Sequence, residues 1–268
     1  MQSNRLFYIG LGCLFSTLCW TITTWAAPSK PEDITFELLK PIKLADGTDK
    51  KSFTKAEIQT LRDQSILLWK GIQDKGAELT NDKKEKKHVR TCKEYDDALE
   101  QGYFPNTMAA IADAAWFKYP CGTLNLLEQA VKPKRSFLPP SEELFNPKLL
   151  PLALFPIMTD FEQAYGYNIE NETYQDRVDK GLLKVIKPER KSSPFDIAYT
   201  DDGMEQRLTQ VVRTDFNGDG LADVLLYEAT YAIGGSHRFY DLIILTRKSA
   251  DSKFVIIFKE GSTDSEFH

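Results

Sequence analysis

Residues 207–230 read RLTQVVRTDFNGDGLADVLLYEAT, two apolar runs separated by a cluster of Asp, Asn and Gly. Counted from Asp215, oxygen-bearing side chains stand at positions 1, 3, 5 and 9 (Asp215, Asn217, Asp219 and Asp223), with Gly220 at 6 and Leu221 at 7. Ca²⁺ takes six to eight oxygen ligands, and alternate oxygen side chains around a sharp glycine turn, with one backbone carbonyl at position 7, supply them. The same Asn and Gly residues also serve an ordinary turn, which needs only their backbone permissiveness. Either way the stretch reads as strand, tight loop, strand.

The residues on both sides extend this pattern. Short apolar runs recur at 182–187, 195–200, 238–246 and 253–260, with DDG at 201–203 and AIGGS at 232–236 as connectors of hairpin length. No helix-length segment separates them, so residues 180–268 are expected to form an antiparallel sheet. Upstream the pattern changes. Residues 27–51 are polar and contain Pro28, Pro31 and Pro41, an extended lead-in. Thr54 with Glu57 forms a capping box, and Ile58, Leu61, Leu68 and Ile72 recur at helical spacing, predicting a helix over about 54–79. A second helix opens at the Thr91–Glu94 capping box and stops at Gly102. A third spans about 106–119, ended by Pro120, and a fourth about 124–130. Six prolines between 132 and 156 exclude long helix there. The expected fold class is α+β: a helical region over 52–165, then the sheet, with a soft boundary near 165–180.

The loop DFNGDGLAD, followed at once by a strand, resembles the Ca²⁺ loop of FG-GAP and VCBS-type repeats of propeller and secreted bacterial proteins. The resemblance implies Ca²⁺ ligation by Asp215, Asn217, Asp219 and Asp223. It covers about 15 residues and occurs once, which gives no support for a propeller. An EF-hand would place a bidentate glutamate at position 12, where this chain has Leu226.

The amino terminus has basic Arg5, an apolar segment and a small-residue exit at Ala26 and Ala27, the order of a secretory signal peptide, here residues 1–26. An uncleaved anchor is the rival reading, because residues 6–25 have roughly the length of a spanning helix. Cleavage predicts a periplasmic or secreted protein with no membrane contact. It removes Cys13 and Cys19, leaving Cys92 and Cys121, which in an oxidising compartment are expected to pair. The net charge of −5 becomes one unit more negative, and with no basic stripe the chain is a poor binder of nucleic acid.

No nucleophile elbow, zinc-binding helix motif, phosphate loop or Cys-x-x-Cys is present. Ser236 and His237 in the GGSHR connector are the best enzymatic pair, and an envelope hydrolase using them is the alternative reading. The preferred one is a non-enzymatic, Ca²⁺-binding partner of another protein, of the kind of an inhibitor or immunity protein against a toxin or envelope enzyme. Its contact residues are expected at Tyr231, His237, Arg238, Phe239 and Tyr240, since aromatics with arginine make interface anchors.

Overall fold

The computed structural model describes residues 34–67, 76–156, 171–186, 196–201, 203–235 and 238–260. Its centre is a six-stranded antiparallel sheet of β5 (Lys184–Ile186), β6 (Asp196–Thr200), β7 (Met204–Thr214), β8 (Asp223–Ala232), β9 (Arg238–Thr246) and β10 (Val255–Lys259). The spatial order is β10-β9-β8-β7-β6-β5, so every strand lies beside its sequence neighbour.

β8 and β9 are apolar at consecutive positions, Val224 to Leu226 and Leu242 to Leu245, which means that both faces of the sheet are buried. Val212, Leu225, Leu242 and Ile244 enter one core. Leu208, Val224, Leu226, Ile243 and Leu245 enter a second. The first core is closed by the hairpin β1 (Thr35–Lys43) and β2 (Asp49–Thr54), by the hairpin β3 (Ala77–Thr80) and β4 (Lys86–Val89), and by α3 (Met108–Gln129). The second is closed by irregular chain carrying Leu144, Leu150, Leu152, Leu154 and Phe155, and by Tyr174 on α4 (Tyr174–Asp179). Buried polar groups fix this second layer: the Tyr174 hydroxyl donates to Gln206 Oε1 (2.6 Å), and Gln206 Nε2 donates to the Leu154 carbonyl (2.9 Å) and to Glu228 (2.5 Å).

This corrects the expected α+β class with a helical first half: the protein is mostly β. The predicted lead-in contains the β1–β2 hairpin, in which Phe36, Leu38, Ile42 and Phe53 are buried. Pro41 is tolerated because it falls where the register between the two strands shifts. Over 54–79 the Thr54–Glu57 capping box forms, but it opens only a 3₁₀ turn and α1 (Ile58–Arg62). Leu44 and Ile66 then form a bridge, the Ile66 amide bonds the Arg90 carbonyl (2.9 Å), and β3 begins at Ala77. So short a helix has little stability of its own, and tertiary bonds end it. The second capping box opens α2 (Cys92–Glu100).

Pro120 lies inside α3, which continues to Gln129. A proline in a helix interior costs about 3 kcal/mol. Buried Phe117, Cys121, Leu124 and Leu127 on both sides of it, and the bond from Cys92 to Cys121 (S–S 2.08 Å), hold the helix together across it. The disulfide therefore joins the start of α2 to the middle of α3, where the sequence had placed a helix exit.

Replacing Cys92 and Cys121 together by serine is expected to lower unfolding stability by about 3 kcal/mol on the loop-entropy account. Chemical denaturation of the oxidised wild type and the double variant measures it, and an unchanged midpoint contradicts it.

Candidate metal centre

The β7–β8 register pairs Thr214 with Asp223, so residues 215–222 form the tight end of a hairpin. Gly218 (φ 77°) and Gly220 (φ 86°) take the left-handed conformation that this reversal requires. The polar side chains turn inward onto the loop's own amides. Asp215 accepts from the Gly218 and Gly220 N–H groups, both at 2.7 Å. Asn217 Oδ1 accepts from Asp219 N–H (3.1 Å), Asp219 Oδ1 from Leu221 N–H (2.7 Å), and Asp223 Oδ2 from Phe216 N–H (2.9 Å).

These bonds satisfy the amides but leave the charge uncompensated. Asp215 is 1 % exposed and Asp223 fully buried. Among the described residues, no lysine or arginine forms an ion pair with either of them or with Asp219. Burial pushes the Asp223 carboxyl up to about 6, and Asp219 and Asp215 add repulsion, while the neighbouring Thr246 hydroxyl and the Phe216 amide draw it back. No well-formed hydrogen bond reaches its Oδ1.

A buried carboxylate oxygen that no well-formed hydrogen bond reaches leaves acceptor capacity that an ordered water or a cation can use. An ionised carboxylate has about four acceptor sites, so the amide bonds leave lone pairs free. Asp215, Asn217, Asp219, Asp223 and the Leu221 carbonyl form an all-oxygen set suited to a hard ion. Among the described residues, however, no three acidic, histidine or cysteine side chains already converge as ligands. An ion held there would have to draw the oxygens together, as in extracellular modules that bind Ca²⁺ on the order of 10⁻⁴ to 10⁻³ M.

The loop is fastened to the segment after α3. Val131 and Asp215 exchange backbone bonds (2.8 and 3.2 Å), and the Thr214 hydroxyl donates to the Val131 carbonyl (2.8 Å). The Lys134 and Arg135 amides donate to the Gly220 carbonyl (2.9 and 3.1 Å), and the Ala222 amide to the Arg135 carbonyl (2.8 Å).

Of the expected contact residues, the structure brings three together. The Arg238 guanidinium lies over the Tyr231 ring (5.6 Å), and Tyr231 meets Tyr240 edge-on (6.3 Å). Phe239, one residue out of phase, belongs to the opposite face of the strand and is 48 % exposed. Ser236 and His237 lie outside the described residues, as does the predicted signal peptide. The sequence did not disclose that the aromatic row continues: Tyr240 stacks on Tyr227 (6.0 Å), Tyr227 meets Tyr119 (5.2 Å), and the Lys40 ammonium sits 4.5 and 4.9 Å from those last two rings. Burial lowers the Lys40 pKa, and Lys43 and Arg207 lower it further against the opposing pull of Asp196. The signal for the row was the four-residue spacing of Tyr227 and Tyr231, an even number that puts both on one face of a strand.

Comparison with models of protein families, with curated proteins and with solved structures finds no match for the chain.

Because the folded pKa of Asp223 lies above its unfolded value, ionisation of this carboxyl opposes folding. Its penalty is fully present above about pH 6 and disappears as pH falls towards 4. In EDTA at pH 7.5, Asp223→Asn is therefore expected to be more stable than the wild type, with the difference closing near pH 4. In saturating Ca²⁺ the order reverses. Thermal unfolding across pH tests both, and a variant less stable than wild type in EDTA at every pH refutes the assignment of the strain to charge.

Proposed function

We propose that this is a periplasmic or secreted, non-enzymatic Ca²⁺-binding protein whose task is to bind another protein. The observation that carries the metal half is Asp223: a fully buried carboxyl group raised to about 6, with one oxygen that no well-formed hydrogen bond reaches, in a loop holding two further uncompensated carboxylates. Asp215, Asn217, Asp219 and Asp223 hold the ion through side-chain oxygens and Leu221 through its carbonyl. The ion supplies positive charge, and its role is structural. It fixes the β7–β8 connection and, through the bonds of Val131, Lys134 and Arg135, the segment that leaves α3.

The partner half rests on the row Tyr227, Tyr240 and Tyr231, bordered by Lys40 and Arg238. Rigid aromatics with adjacent guanidinium groups are what interface hot spots use, and a sheet presents them with little ordering cost. An inhibitor or immunity protein directed at a toxin or envelope enzyme is the use that suits such a stapled, metal-braced module.

Thermal unfolding in excess EDTA and in rising Ca²⁺ tests the metal half. At about ten times the dissociation constant, linkage gives ~1.4 kcal/mol, a rise of about 3–6 °C, and Asp219→Ala is expected to lose it. No rise in the wild type overturns the reading. For the partner half, Tyr231→Ala combined with Arg238→Ala should reduce retention of the partner from periplasmic extract about tenfold while keeping the Ca²⁺ response. Retention that is unaffected moves the contact elsewhere.

A further inference from the structure

The strand register fixes which side chains share a face with Tyr227, Tyr231 and Tyr240. On β7, Thr209 lies opposite Tyr227, Arg207 opposite Ala229 and Glu205 opposite Tyr231. On β9, Tyr240 lies opposite Ala229 and Arg238 opposite Tyr231. Residues opposite each other in adjacent strands project to the same side of a sheet, as do alternate residues along one strand. Lys40 reaches this face from β1 and ends over Tyr227. Lys40, Arg207 and Arg238 therefore stand along β8 at the levels of Tyr227, Ala229 and Tyr231, two residues apart, or about 7 Å at the strand rise. Arg207 and Arg238 are exposed.

Two of these cations are held by rings instead of carboxylates. The Lys40 ammonium lies 4.5 Å from the Tyr227 ring centre and 4.9 Å from that of Tyr119, and the Arg238 guanidinium 5.6 Å from that of Tyr231. Among the described residues neither forms an ion pair. A ring face attracts a cation but leaves its charge and its N–H donors to other groups. Arg207 is paired with Glu205 at 3.3 Å, and both side chains are partly exposed. Such a surface pair is weak and gives way to a better acceptor. Asp196, the other acid of this face, acts on Lys40 from β6 without coming within ion-pair distance. Asp241 and Glu260, whose charges reach Tyr227, are both engaged by Lys118 (2.8 and 3.6 Å). On a chain of net charge −5, this face thus keeps cations that no carboxylate of the chain neutralises.

We infer that this face takes an extended acidic segment of the protein partner, laid along β8 with Asp or Glu at alternate positions, so that successive carboxylates meet Lys40, Arg207 and Arg238. Alternate side chains of an extended chain project to one side at the same spacing of about 7 Å as the three cations. A guanidinium takes a carboxylate through two parallel N–H bonds, and the ring beneath Arg238 holds its fork in place for them. Opposite charge also steers the encounter and rejects basic partners. The inference rests on the partner reading given above, and adds to it the sign of the partner's charge and the spacing of its acids.

The test selects a displayed library of random octapeptides on the immobilised protein in excess Ca²⁺ and sequences what is retained. Peptides with Asp or Glu at positions i, i+2 and i+4 are expected to be enriched about tenfold over peptides with the same number of acids in a contiguous run, and retention is expected to fall with added salt. Enrichment of neutral or basic sequences, or no enrichment, overturns the inference. Heparin–agarose that retains the protein while the peptides show no acidic preference overturns it in favour of an anionic polysaccharide. Arg207→Gln combined with Arg238→Gln, both at exposed positions, is expected to reduce the acidic enrichment about tenfold, and circular dichroism shows that the variant is folded. An undiminished enrichment in the folded variant also overturns it. If Tyr231→Ala with Arg238→Ala loses the partner from periplasmic extract but acidic peptides are not enriched, this inference fails and the partner surface stands. If acidic peptides are enriched but that variant keeps the partner, the acidic site stands and the partner reading fails.

Discussion

Val224, Leu225 and Leu226 on β8, and Leu242, Ile243, Ile244 and Leu245 on β9, are at most 1 % exposed. Alternate side chains leave a strand on opposite faces, so a strand with no polar residue in its central run has no face to give to water. Two covers are obligatory, and the rest of the chain provides them. One is assembled from two hairpins and α3, the other from proline-interrupted chain with α4. Among the described residues the second cover contains little regular structure, and side chains anchor it. The anchors are the Tyr174–Gln206–Glu228 chain of hydrogen bonds and the Tyr199 hydroxyl on the Phe145 carbonyl (2.8 Å).

The chain passes from one cover to the other after Ala130, and the Asp-rich loop marks this crossing. Asp215 and Gly220 bond Val131, Lys134 and Arg135, and a little further on Arg213 holds the Pro139 carbonyl. A hairpin end with three carboxylates thus does more than turn a strand around: it clamps the segment by which the chain leaves α3 for the second layer. Loss of order in that loop is transmitted to both covers at once.

The sheet was legible because its strands are apolar, short and separated by turn residues, and hairpin connections leave few alternatives to nearest-neighbour order. The covers were not. Ile58 and Leu61 have helical spacing and are buried in a helix, but Ile66 is also apolar and is buried in an extended bridge. Spacing alone does not separate the two. The alternation of Phe36 and Leu38 was hidden among polar residues and by Pro41, which is harmful inside a paired strand but harmless at a register shift. Pro120 misled in the opposite direction, because its penalty is local whereas the packing and disulfide that offset it are not. At the site, the spacing of the acids was visible and the positions of Tyr231, Arg238 and Tyr240 followed from strand phase. Lys40 and Tyr119 were invisible, since their meeting with Tyr227 depends on how the covers dock.

Within the sheet every pairing joins neighbours in sequence, so its contact order is low and it can grow hairpin by hairpin. The contacts that close it are of the opposite kind. Phe36, Phe53, Phe117 and Leu124, and on the other side Leu144, Leu150 and Phe155, all precede the strands on which they rest. A chain made from its amino terminus therefore exposes both apolar linings before the sheet exists. During synthesis the greater part of the protein is an apolar, half-built shell, the kind of partly folded state that is open to aggregation until the last strands arrive.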